Sequence, residues 1–284
     1  MRDFSAIWLA LREPADLAAR APSLLEQLER AFSGVSTCHV CDLGAGTGAS
    51  FRAFAQRLPA RQHWTLVDHD AALLEEGREK LLALGQADDA AGRAANEKLE
   101  IVRRDCRLTL CFVAADLGPI RQLLQQPVDL ITASALLDLT STVWIKAFAK
   151  AAAQRGAYVL STLNFNGEIQ FTPGHPEDAA MQAAFNAHQK GDKGFGPAAG
   201  ADAPIALTKT LAKFGYAVET AASPWRLGSD DRDLIHAFIN GMVSAVAETE
   251  TMPSSRLHAW HRHRTQSVKT LEVGHVDLFA TPPG

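Results

Sequence analysis

The chain has 284 residues, 47% of them apolar and 21% charged, a profile that fits a globular protein able to fill a core. Its formal net charge of −4 speaks against a basic nucleic-acid binder, and four cysteines in this length make no disulfide scaffold. No apolar run approaches the roughly 18 residues of a membrane span, and the start leads into Arg12, Glu13 and Asp16 rather than a signal-peptide core, so a cytoplasmic protein is expected.

Residues 1–36 read as helical, with a break expected at Pro14. Ser23 with Glu26 three residues on predicts a capping box ahead of Leu24, Leu25 and Leu28. Short apolar runs then alternate with amphipathic ones. Strands are predicted over 38–43, 64–67, 108–114, 128–133 and 157–163, with helices over 49–58, 71–84, 117–125 and 142–153 between them. Residues 85–98, rich in Ala, Asp, Gly and Asn, read as a loop. After Leu163 the rhythm breaks into a stretch rich in glycine and proline, 164–207, with one helical run over 176–190. A helix over 205–214 and a strand over 217–221 resume the alternation. A helical insertion over 230–271, broken near Pro253, precedes a closing strand over 273–280. The expected fold class is α/β, a doubly wound and mostly parallel seven-stranded sheet with N-terminal helices. Helical insertions follow strand five and separate the last two strands. The expected organisation is one domain: a helical cap over 1–36, a half over 37–163 that carries the glycine turn, and a half over 164–284 that carries the insertions.

Val40-Cys41-Asp42-Leu43-Gly44-Ala45-Gly46-Thr47-Gly48 runs from an apolar strand into a helix. Glycines here allow a tight turn and close approach to a ligand, with free amides expected to face it. Gly44, Gly46 and Ala49 also satisfy the dinucleotide pattern G-x-G-x-x-A. Three acids sharpen the reading. Asp42 precedes the first glycine by two, where a pyrophosphate gains nothing but a cationic amino group gains a partner. Asp68 ends the second strand, where a carboxylate accepts both hydroxyls of a ribose. Asp116 ends the third, placed to accept from an adenine amino group.

With these acids in order around the glycine turn, residues 36–163 resemble the class I (Rossmann-like) S-adenosylmethionine-dependent methyltransferases. The resemblance implies S-adenosyl-L-methionine as cofactor and S-adenosyl-L-homocysteine as product. It implies that Asp42, Gly44, Ala45 and Gly46 hold the methionine end, Asp68 with His69 the ribose, and Asp116 with Leu117 the adenine. Ser134 ends the fourth strand beside the reacting methyl group. Ser134-Ala135-Leu136-Leu137 departs from the Asn/Asp-Pro-Pro-aromatic turn of enzymes that methylate base or glutamine amines, and no Pro-Cys nucleophile pair is present. The expected reaction is transfer of a methyl group to a small-molecule acceptor, with no nucleic-acid partner and no membrane. Two other readings stay open: a non-catalytic S-adenosylmethionine binder or scaffold, and an NAD(P)-dependent oxidoreductase using the same turn.

The remaining candidates lie outside the turn. Asp138 either faces the site or caps the helix starting near Ser141, and the cap is preferred. His175 is the first candidate general base and His188 the second. Lys193, in a glycine-rich stretch, is a candidate contact for an anionic group of the substrate, and Asn164 is a further substrate candidate. Trp8 and Arg12 are candidates to close over the cofactor. Cys38-His39-Val40-Cys41 invites a metal reading, but residues three apart on a strand point to opposite faces, so no metal site is expected. The basic run 256–264 reads as a solvated helix face, with contact to an acidic substrate as the alternative.

Overall fold

Side chains of a strand alternate between faces, and a strand apolar on both faces must lie inside a covered sheet. Along β1 (Thr37–Leu43), Cys38 and Val40 enter one core and Cys41 and Leu43 another, so the two cysteines lie on opposite faces. The computed structural model describes residues 5–87, 91–95, 98–103 and 106–284, with residues 84–87, 91–95 and 103 described by their backbone. β1 pairs in parallel with β2 (Arg61–Asp68) on one side and β6 (Leu130–Ser134) on the other, with Asp42 opposite Leu66 and Thr132. β5 (Cys106–Ala114) extends the parallel array beyond β2, and β7 (Tyr158–Thr172) extends it beyond β6. β10 (Thr270–Thr281) then inserts antiparallel between β7 and β8 (Ala217–Ala222). The seven expected strands are thus all present.

Among the described residues three further strands enlarge the sheet to ten. β3 (Ala91–Ala95) and β4 (Lys98–Arg103) form an antiparallel extension on β5, and β9 (Trp225–Leu227) pairs with β10. The expected loop over 85–98 is therefore corrected where it falls on described residues; 88–90 and 96–97 lie outside them. β7 also runs on to Thr172 instead of ending at Leu163, and with β10 it forms a ribbon.

Helices cover both faces. α1 (Ala6–Ala19) runs through Pro14 rather than breaking there, and α2 (Pro22–Ala31) starts on Pro22, whose fixed φ suits a first helical position. Ser23 is therefore inside α2 and caps nothing. α2, α3 (Ala49–Phe54) and α4 (Ala71–Ala87) cover one face. α5 is shorter than expected, Ile120–Leu123, and packs with α6 (Thr142–Arg155) and α8 (Ala203–Lys213) on the other. α7 (Asp178–Gln189), α9 (Arg232–Thr249) and α10 (Ser254–Ser267) gather on the ribbon around a third core that includes Phe171, Trp225 and Trp260. No helix among the described residues is long and apolar enough to cross a membrane.

Candidate active site

At the carboxyl ends of β1, β2, β5 and β6 the chain leaves the sheet into one cavity, where open parallel sheets bind ligands. Gly44, Ala45, Gly46, Asp68, His69, Asp116, Leu117 and Ser134 all line it. Leu9, Arg12 and Asp16 of α1 form a further wall, with Leu136, Leu139 and Phe195 opposite.

The glycine turn is drawn tightly onto β2. The Gly44 and Ala45 amides donate to the Val67 carbonyl at 2.9 and 3.0 Å, and the Gly46 amide donates to Asp68 Oδ2 at 2.8 Å. Gly48 takes a left-handed φ of +83°, and its amide donates to Ala45. These four amides are therefore engaged inside the protein, while Ala49 and Ser50 at the helix N-terminus line the cavity. Gly77 lets α4 approach the same turn: a Cβ there would lie 2.9 Å from the Thr47 carbonyl carbon. Arg52 fastens the turn to α1, donating to the Thr47 carbonyl at 2.6 Å and to both carboxylate oxygens of Glu13.

Asp68 is buried, with Oδ1 accepting from the Asp70 amide at 3.0 Å and lying 3.1 Å from His69 Nδ1. Asp116 is exposed at the rim, where Oδ1 accepts from the Gly118 amide at 2.9 Å. Leu117 is fixed by α6, since Trp144 Nε1 donates to its carbonyl at 2.8 Å. Ser134 accepts from the Thr162 hydroxyl at 3.1 Å, and Thr162 in turn accepts from the buried Arg20 at 2.6 Å.

Asp42 lies beneath the turn and off the cavity wall, fully buried. Thr132 donates to its Oδ1 at 2.6 Å, while Oδ2 has no hydrogen-bond partner among the described residues. Burial pushes its carboxyl up to about 7, against the pull of the Thr132 hydroxyl and the Arg20 charge. Asp277 of β10 completes this underside, accepting from the Ala21 and Leu163 amides and from the Ser223 hydroxyl.

The other candidates are distributed differently. Ser141, not Asp138, caps α6, accepting from the Trp144 amide at 3.1 Å. Asp138 is instead buried in the turn 137–139, and its Oδ1 has no partner among the described residues. Burial pushes it up to about 6, with Arg12 pulling the other way. Asn164 is a correction: fully buried, it accepts from Ser161 and donates to the Val276 carbonyl, tying β7 to β10 away from the cavity.

His175 is also a correction. It follows the end of β7 at Thr172, ten residues beyond the Thr162 that pairs with Ser134, and does not line the cavity. There its Nδ1 accepts from the Glu177 amide and its ring packs 4.6 Å from that of His263. His188 Nε2 lies 2.9 Å from Glu248 Oε2 and its Nδ1 3.4 Å from Lys193 Nζ, joining α7 to α9. Neither His188 nor Lys193 lines the cavity; Phe195 is the residue of that stretch that does. The basic run is not uniformly solvated, because Arg264 is fully buried against Asp178.

Leu9, Asp16 and Leu139 were without a sequence signal as wall residues: α1 carries no glycine turn or strand end to announce it. Their one hint is the pairing of Arg12 with Asp16 four residues on, realised as two hydrogen bonds of 2.8 and 3.1 Å.

A mostly parallel sheet with the antiparallel β10 inserted beside its last parallel strand, and a glycine turn flanked by strand-end acids, defines the class I Rossmann-like methyltransferase fold. One solved structure shares this fold over most of the chain. A candidate methyltransferase of Bacillus halodurans superposes with a TM-score of 0.51 at 13% identity, over 92% of this chain and 100% of that one. A methyltransferase of Thiobacillus denitrificans, crystallised with S-adenosyl-L-homocysteine, gives 0.45 at 15% identity over 98% of each chain. No protein-family model and no curated protein matches the sequence.

Proposed function

We propose that this chain is an S-adenosyl-L-methionine-dependent methyltransferase that transfers a methyl group to a small-molecule acceptor by in-line displacement. The observation that carries the reading is the electrostatics of the glycine turn. Its amides are engaged by Val67, Asp68 and Ala45, and carboxyl groups lie beneath and beside it. Along Gly44–Gly46 a pyrophosphate would meet the Asp68 carboxylate and no free amide, whereas a ribose finds an acceptor there. This argues against the oxidoreductase reading. Leu9 of α1 packs onto the same turn, where a Cβ on Gly46 would stand 3.1 Å from it.

In this reading Asp68 and His69 hold the ribose, and Asp116 with Leu117 the adenine. Gly44, Ala45 and Gly46 pass along the methionine end, with Asp42 acting through the turn. When bound, the cofactor supplies an already activated methyl group. The protein's own work is to bind, align and exclude water, and Leu9 and Arg12 of α1 close that wall. The half over 164–284 carries the acceptor side.

Calorimetric titration with S-adenosylmethionine, S-adenosylhomocysteine and NADH, repeated on Asp68→Ala, tests the proposal. Micromolar binding of either sulfur ligand, weakened at least tenfold in the variant, is the expected result. Binding of NADH alone would overturn it. Sulfur-ligand binding without turnover across an acceptor panel would leave a non-catalytic binder.

A further inference from the structure

Buried polar atoms almost always find partners, so those that do not point to missing chemistry. Among the described residues six such side-chain atoms occur. Two, Asp42 Oδ2 and Arg20 Nε, belong to the underside of the glycine turn. The other four are Trp8 Nε1, Asp138 Oδ1, Asn186 Oδ1 and His275 Nδ1, and they come from four separate segments.

Contacts, with the charge interaction of Arg12 and Asp138, link those four segments in a ring. The Arg12 guanidinium, whose charge acts on Asp138, lies 5.0 Å from the centre of the Trp225 ring. Trp225 meets Trp8 at 6.3 Å and His275 at 5.2 Å. His275 is the cross-strand partner of Phe165, and their rings are 6.3 Å apart. Two residues on, and so on the same face of β7, the Gly167 carbonyl accepts from Asn186 Nδ2 at 2.9 Å, which fixes Asn186 Oδ1 as the unpartnered end. A Cβ on Gly167 would lie 3.0 Å from Ala201, and the turn holding Ala201 packs on the turn holding Asp138. The ring adjoins the cavity through Arg12 and through Leu136 and Leu139, which flank Asp138. Two non-glycine residues take left-handed φ, Ala135 on the cavity wall at +50° and Leu163 of β7 at +56°.

The charges in the ring are unequal. Arg12 is matched by two bonds to Asp16, which also accepts from Trp225 Nε1 at 2.9 Å. Burial pushes the His275 imidazole down to about 3 and keeps it neutral. Asp138 keeps Oδ1 without a hydrogen-bond partner among the described residues, and Arg12, already bonded to Asp16, acts on it through its charge.

We propose that this ring encloses the acceptor site and that the acceptor is an amine with a flat apolar body, its nitrogen received by Asp138 and Asn186 and its body held among Trp8, Trp225 and Phe165. The assignment of the ring to the acceptor rests on the methyltransferase reading above; its preference for an amine does not.

Three probes sharing one ring test the preference: phenethylamine, 2-phenylethanol and 3-phenylpropionate, followed by ligand-observed NMR with and without S-adenosylhomocysteine. The whole chain should bind phenethylamine at least tenfold more tightly than the carboxylate. In Asp138→Asn that preference should fall at least tenfold while S-adenosylhomocysteine affinity changes less than twofold. Asn186→Ala, which leaves Asp138 intact, should lower amine affinity by a smaller factor, and it serves if Asp138→Asn does not fold. Absence of amine binding, equal binding of the carboxylate, or a preference that survives both substitutions would overturn the proposal. Amine preference without S-adenosylhomocysteine binding would overturn the cofactor reading alone. The converse would overturn the amine site alone.

Discussion

At the far end of the ribbon Asp178 receives the Trp260 indole N–H, the His175 amide and two donors of Arg264, whose remaining nitrogen reaches the Pro173 carbonyl. Where the ribbon meets the parallel sheet, Asp138 is more deeply buried and keeps an oxygen without a hydrogen-bond partner among the described residues. Both regions bury carboxyls under aromatic cover, and they treat them oppositely. A saturated carboxylate fastens helices; an unsaturated one costs stability and is retained for another reason. The contrast separates what holds α7 and α10 on the ribbon from what shapes the space beside the cavity.

The largest effect should come from breaking the fastening. Arg264→Ala removes three donors and the guanidinium stacked 4.7 Å over Phe171, leaving Asp178 unmatched. A loss of about 3–5 kcal/mol is expected in urea unfolding. A loss below about 1 kcal/mol would mean that the ribbon helices hold without it.

Asp138 should answer in the other direction, and with pH. Its folded value of about 6 stands above the ordinary 3.8, so its favourable contribution is complete below that value and is lost as pH rises through about 6. His275, depressed to about 3, acts with the opposite sign, which is why the informative quantity is a difference. Asp138→Asn minus the parent protein should become more favourable between about pH 4 and about pH 7, by roughly 2–3 kcal/mol. Asp42→Asn should give the same trend extended to about pH 8, since its folded value is about 7. Denaturation at fixed pH steps reads both, and a flat difference would mean that neither carboxyl is held protonated.

Gly77→Ala tests the close approach of α4 to the glycine turn. With a backbone atom 2.9 Å from the new methyl group, about 1–3 kcal/mol should be lost, together with S-adenosylhomocysteine affinity. The smallest effect is expected at His175. His175→Asn should change S-adenosylhomocysteine affinity less than twofold, because the ring does not line the cavity and is engaged by the Glu177 amide and His263. A tenfold change would show that the ribbon end communicates with the site.

The parallel half was legible in the sequence because its strands are short apolar runs closed by turn residues and acids. Val40–Gly48 and the ends at Asp68 and Asp116 each carry a local signal. β4 also left one, since Leu99 and Ile101 are buried while Glu100 and Val102 are exposed, but the polar run before it masked the alternation. The extension of β7 was missed for a similar reason. Phe165, Ile169 and Phe171 alternate inward, with Gly167 and polar residues diluting the pattern. The placement of Asp138 needed three dimensions: a cap and a buried carboxyl look alike three residues before a helix. The histidines misled because a ring in a loop after strand five is attractive chemistry only if the strand ends there.

Asp277 bears on how the chain is made as well as how it stands. It joins Ala21, near one end, to Leu163 and Ser223, and it sits on a strand inserted between two earlier ones. Synthesis delivers residues 270–281 after everything they must separate and bind. Until they arrive, β7 and β8 have no common neighbour and the Ala21 amide lacks its acceptor. Such long sequence separation slows folding and delays the final assembly of the sheet until residues 270–281 have been made.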